Sequence, residues 1–149
     1  MTMLETMATV DQKKSEMGDA VLADRLREVG LRPTRQRMAL VDILLSQGNR
    51  HMTAESLYSE ATSQGAKVSL ATVYNALHTF TAKGLLREIS IDSTQSYFDT
   101  NTKEHHHFYF EKSGKLEDIE PNHVKLSRVP NAPDGMSISR VDVVIRVDG

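Results

Sequence analysis

Residues 68–88 read VSLATVYNALHTFTAKGLLRE. Ser69 opens a run with helical spacing and Gly84 closes it; serine is a favoured N-cap, and glycine a favoured residue just past a helix end. At about 100° per residue, Leu70, Val73, Leu77 and Phe80 share one face. Ala71, Asn75 and His78 lie opposite, flanked by Thr72 and Tyr74. The outward side therefore carries an amide, a phenol and hydroxyls, where a solvated face would carry Lys and Glu. Asn pairs with adenine edges, and Tyr or Ala can touch a thymine methyl, so this helix suits a DNA major groove. On these residues alone, an ordinary amphipathic helix is the other reading.

The flanking sequence extends the first reading. Downstream, Leu85–Ile91 and Gln95–Asp99 have strand character around the polar turn Asp92-Ser93-Thr94. Upstream, Val21, Leu22, Leu26 and Val29 have helical spacing, and Gly30 stops them. Thr34 caps a second helix with Met38, Val41, Leu44 and Leu45 inward, ended by Gly48. Thr53 caps a third with Ala54, Leu57, Tyr58 and Ala61, ended by Gly65. Three helices, a recognition helix and a β-hairpin make a winged helix-turn-helix.

Composition bounds the rest. The chain has 149 residues, 39% hydrophobic and 26% charged, ordinary for a folded soluble protein. Nothing approaches the roughly 20 apolar residues of a membrane span. Residues 1–18 read as a polar tail without a signal-peptide core, so the expected location is the cytoplasm and no membrane partner is expected. With no cysteine, disulfides, thiolate zinc sites and cysteine nucleophiles are excluded, and any metal must use nitrogen and oxygen ligands. Net charge is −2, but residues 21–90 hold nine Lys/Arg against six Asp/Glu, and residues 91–149 hold seven against ten. A basic half joined to an acidic half points the first toward phosphate.

The acidic half opens on KEHHHFYFEKSG, residues 103–114, with three of the six histidines. Phe108–Glu111 and Leu116–Ile119 flank the turn 112–115, a second hairpin signal. Pro121 is placed to start a short helix through Val129, and SISRVDVVIRVDG at 137–149 alternates as a strand with one buried face. So little structure can hardly bury a core alone, and pairing with a second copy would solve this. If His105–His107 begin a strand, His105 and His107 share a face, roughly 6.6 Å apart at the backbone, and His106 points the other way. Two imidazoles on one face suit neighbouring ligands of a metal, not the two opposed axial positions of one haem. A haem could still take one of His105, His106 or His107, with Phe108, Tyr109 and Phe110 as flat apolar cover. A remnant tag, a solvated loop and surface histidines with incidental metal affinity are the competing readings.

The stretches GLRPTRQR (30–37), HMTAESLY (51–58) and 68–88 together resemble the ferric uptake regulator family of bacterial metal-responsive transcription factors. The resemblance runs over about residues 20–149. It implies an α+β fold, with a winged-helix DNA-binding domain at 19–100 and a small α/β dimerisation and sensing domain at 101–149. The cysteine-free HHHFYF is most similar to the haem-sensing iron response regulators of α-proteobacteria. Tyr74 matches a family tyrosine that contacts thymines, and Arg32 a basic residue that enters the adjacent minor groove, which is narrow and negative in A·T-rich DNA. Ser69, Thr72 and Asn75 complete the expected contact set, Asn75 standing where many members have arginine. The resemblance further implies a homodimer on an A·T-rich inverted repeat of double-stranded DNA.

For the regulatory metal, His51 matches a ligand donated by the DNA-binding domain, with His105 and His107 from the second domain. Asp99 stands near a family glutamate, one residue closer to the histidines. Such an N/O set can hold Fe²⁺, Mn²⁺ or Zn²⁺ and would tie the domain angle to metal occupancy. Haem at His105–His107 is the other cofactor the resemblance implies. The family's structural-zinc CxxC is replaced by Phe110 and Ser113, and a histidine of a further site by Val141. His106 stands where many relatives have aspartate. The expected function is therefore an iron-responsive, non-enzymatic transcription regulator controlled by haem or divalent metal. The competing class is a small non-haem iron enzyme using His105, His107 and a carboxylate as a facial triad.

Overall fold

The computed structural model describes residues 18–149, so the expected tail lies almost wholly outside the described residues. It falls into two compact units, one ending at Thr102 and the other spanning Lys103–Gly149.

The first unit begins with helix α1 at 18–28, followed by α2 (Arg35–Leu45), β1 (His51–Met52), α3 (Ala54–Ser63) and α4 (Leu70–Ala82). The hairpin β2 (Arg87–Ser90) and β3 (Ser96–Asp99) closes it. Each expected cap is present. The Thr34 hydroxyl accepts from the Arg37 amide at 3.2 Å, and that of Ser69 from the Thr72 amide at 3.1 Å. Thr53 and Ser56 form a reciprocal capping box. After α4 the chain turns through Gly84 at φ +82°, which lets the Leu85 amide reach back to the Phe80 carbonyl at 2.9 Å. Leu26, Leu40, Leu57, Ala61, Val73, Leu77 and Phe80 are wholly buried in one core, with Phe98 from the hairpin beside them. Amphipathic helices of this length are held mainly by that shared burial.

The sheet of this unit has the order β1-β3-β2, both pairings antiparallel. β1 is two residues long and has no strand signature. It exists because β3 offers it a free edge, placing His51 opposite Asp99 and Met52 opposite Phe98. Two bonds beyond the register extend the pairing: Thr100 N–H donates to the Arg50 carbonyl at 3.0 Å, and the Arg50 N–H to the Thr100 hydroxyl at 2.7 Å. The tip between β2 and β3 is an Asx turn, Asp92 Oδ1 accepting from the amides of Thr94 and Gln95 at 2.8 and 3.0 Å.

The second unit is a three-stranded sheet with β4 (His106–Phe110) in the middle, β5 (Leu116–Ile119) antiparallel on one side and β6 (Val144–Val147) parallel on the other. Two expectations are corrected here. The helix from Pro121 to Val129 shrinks to a 3₁₀ turn, Pro121–His123, because Val124 is extended (φ −121°, ψ 120°). Of its expected apolar residues, Leu126 is exposed and Val124 only half-buried, and a short helix with so little to pack on does not hold. The strand expected over 137–149 is regular only at Val144–Val147, the stretch for which β4 provides a partner. None of its residues is fully buried.

Candidate metal centre and nucleic-acid interface

Two sets of imidazole and carboxylate groups are assembled, one in each unit. In the first, the β1–β3 register brings His51 Nε2 to 3.2 Å from Asp99 Oδ2. The Asp99 side chain is completely buried, and its Oδ1 accepts from the Asn101 amide at 2.8 Å. One oxygen of a buried carboxylate is thus fixed by the backbone and the other faces an imidazole, so neither is left unpartnered in the interior. On the other side of β3, Arg87 sits across from Asp99 and is itself buried.

In the second unit, His105 Nε2 and His107 Nε2 lie 3.2 and 3.3 Å from the same oxygen, Asp118 Oδ1. Their rings are 4.5 Å apart at the centroids, tilted by 59°. One donor atom from each of His105, His107 and Asp118 falls within 4.8 Å of the others. His105 Nδ1 bonds the Lys103 carbonyl, which leaves Nε2 as its outward donor. His106 is used differently: its Nδ1 accepts the Val143 amide at 3.1 Å and helps dock the chain entering β6. All three imidazoles are at least 95% buried. Asp118 has no counterpart among the expected ligands. The signal that finds it is the hairpin register, which sets Asp118 opposite His107.

These donors fit a divalent ion of the Fe²⁺, Mn²⁺ or Zn²⁺ type: neutral imidazole nitrogens and carboxylate oxygens converge at a few ångströms in buried surroundings. They fit haem less well. His105 and His107 are neighbours aimed at one carboxylate, not opposed axial groups, and a porphyrin needs one ring edge open to a flat cavity.

The candidate nucleic-acid face is α4. Ala71, Tyr74, Asn75 and His78 are exposed along it, opposite the buried Val73, Leu77 and Phe80. Asn75 borders a groove of about 300 Å³ with Thr72 and, from α2, Gln36 and Arg37. The hydroxyls of Ser69 and Thr72 are 2.9 Å apart and close the helix N-terminus. Arg32 is exposed in the α1–α2 turn, its carbonyl accepting from Arg37 Nη1 at 3.1 Å. On the far side, Tyr74 and His78 border a second groove, of about 470 Å³, reaching to the β2–β3 tip. Tyr74 donates its hydroxyl to Glu55 Oε1 at 2.6 Å. The phenol's pKa is held above its usual value, first by the hydrogen bond it donates to Glu55, then by burial and by the Glu55 charge.

Residues 28–145 match the ferric uptake regulator family. The chain belongs to that family. Among curated relatives, the peroxide-responsive repressor PerR of Staphylococcus epidermidis is 38% identical over 94 residues, 63% of this chain and 62% of that protein. The chain thus spans less than two thirds of the length of this relative. The manganese-bound ferric uptake regulator of Pseudomonas aeruginosa superposes with a TM-score of 0.67 at 25% identity, over 87% of this chain and 98% of that one. The ferric uptake regulator of Vibrio cholerae shares the fold at 19% identity, with a TM-score of 0.66 over 85% and 98% of the two chains. The α+β fold of the ferric uptake regulators is therefore the fold of this chain.

Proposed function

We propose that this protein is a dimeric, metal-responsive transcription regulator of iron metabolism, acting in the cytoplasm on A·T-rich inverted repeats. The observation that carries the reading is that strand β3 belongs to both proposed functions. It forms the wing beside the recognition helix α4 and ends in Asp99, the buried carboxylate beside His51. An ion held there would brace the wing directly. Tyr74, Asn75, Thr72 and Ser69 present α4 to the major groove, and Arg32 reaches the adjacent minor groove. His51, Asp99, His105 and His107, joined by Asp118, are the metal ligands of this proposal.

The kinship with uptake regulators and peroxide-responsive repressors supports regulation over the non-haem iron enzyme, and non-haem turnover drops out of the reading. No helix among the described residues is long and apolar enough to cross a membrane. Placement in the haem-sensing iron response branch rests on the run His105–His107 and the missing cysteines. Because all three imidazoles are buried, haem could reach them only if this stretch opened.

The test is selection of duplexes from a randomised pool, followed by salt-dependent binding with and without Mn²⁺. Enrichment of an A·T-rich inverted repeat whose affinity rises with Mn²⁺ and falls steeply with salt is the expected result. No enrichment under either condition would overturn it. A haem titration of the intact chain against a His105→Ala, His106→Ala, His107→Ala variant decides the haem arm: a saturable absorbance band lost in the variant supports it, and identical weak spectra remove it.

A further inference from the structure

Tyr74 is held at its ring as well as at its hydroxyl. The ring stacks on His78, centroids 6.4 Å apart and planes 20° apart. His78 in turn meets the buried Phe98 edge-on at 5.9 Å. A chain of contacts therefore runs from the core through His78 to Tyr74, and Glu55 on α3 takes the hydroxyl at the far end. The Tyr74 hydrogen is committed to Glu55, so toward a base the residue offers a fixed apolar ring and an acceptor oxygen, not a donor. A thymine methyl is the one major-groove feature that calls for an apolar partner. An unrestrained tyrosine on an exposed helix face would have to give up rotamer freedom to make that contact, while a restrained one has already done so.

We propose that Glu55 is a positioning residue for thymine recognition: by accepting the Tyr74 hydroxyl it sets the ring to read thymine methyls. This rests on the reading of α4 as the DNA-recognition helix. The carboxylate itself does not touch DNA in this assignment, and its charge opposes nearby phosphate. Removing it thus has two separable effects, a general gain in affinity from the lost charge and a loss of methyl discrimination.

The experiment uses the full chain with Mn²⁺ present and a duplex that the wild-type protein selects from a randomised pool, compared with the same duplex carrying uracil for each thymine. One buried methyl is worth about fourfold in affinity, so the wild type is expected to prefer thymine by about that factor for each thymine that the ring touches. Glu55→Ala should bring this ratio close to one, whatever it does to overall affinity. Glu55→Gln keeps an acceptor without the charge and should retain the ratio. An undiminished ratio in Glu55→Ala, with circular dichroism and melting like the wild type, overturns the positioning role. So does a wild type that binds both duplexes equally. If the wild type selects no duplex at all, the reading of α4 fails and takes the proposal with it. If Glu55→Ala is poorly folded, a Tyr74→Phe variant, which lacks the bonded hydroxyl but keeps the ring, makes the same comparison. Tyr74→Phe should lose discrimination as Glu55→Ala does, and an undiminished ratio there overturns the proposal equally.

Discussion

The carboxylate at Glu55 and the carboxylate at Asp118 show how much a single side chain depends on its partner. Tyr74 and Glu55 are nineteen residues apart on different helices, and their bond raises the phenol's pKa. An ultraviolet titration should place one tyrosine above the usual range near 10, and Glu55→Ala should return it there. Because the folded-state pKa is raised, this contact contributes its stability below the unfolded value and loses it as pH climbs through the folded one. The contribution is therefore fully present at neutral pH, and its loss belongs to alkaline solution. Asp118 makes the second case. It faces both His105 and His107, so Asp118→Asn should weaken Mn²⁺ binding by more than about tenfold, read by calorimetry, with little change in melting of the metal-free protein. Equal affinities would remove Asp118 from the ligands.

Among the elements, α4 was legible almost entirely from its own sequence: the Ser69 cap, the Val73, Leu77 and Phe80 stripe and the Gly84 stop are all local signals. Their energies separate cleanly. Ser69→Ala loses an exposed cap and should cost about 1 kcal/mol in urea unfolding. Leu77→Ala opens a cavity in a wholly buried position and should cost about 2–5 kcal/mol. If the two cost the same, the helix is held by its cap and not by the core. β1 was not legible, since two residues carry no period. The segment 121–143 misled in the other direction: its prolines and apolar residues have local helix and strand character, but its apolar side chains are left exposed or only half-buried.

At the scale of the molecule, the two units are unequally supplied with core. The main hydrophobic cluster lies entirely in the first. The second buries Tyr109, Leu116 and Ile119, plus its histidines, and leaves Leu126, Val129, Met136, Ile138 and Ile145 exposed. So small a sheet needs a further source of burial. The proposed homodimer supplies it at β6 and the segment before it. Sedimentation should therefore show a dimer, and Ile145→Asp should shift it toward monomer and weaken DNA binding with it. A variant that stays dimeric would place the interface elsewhere.

What the sequence determined by itself is the set of local decisions. Caps, glycine stops, 3.6-residue apolar stripes and period-two strands depend on neighbours within a few positions, and they define the winged helix and the outward face of α4. Tertiary structure decided everything that depends on which distant residues share a strand ladder. The β1–β3 register joined His51 to Asp99, and the β4–β5 register set Asp118 against His107. Packing of α3 beside α4 gave Tyr74 its acceptor in Glu55. The proposed metal ligands and the oriented tyrosine are defined by distances across the fold, and no local pattern encodes those.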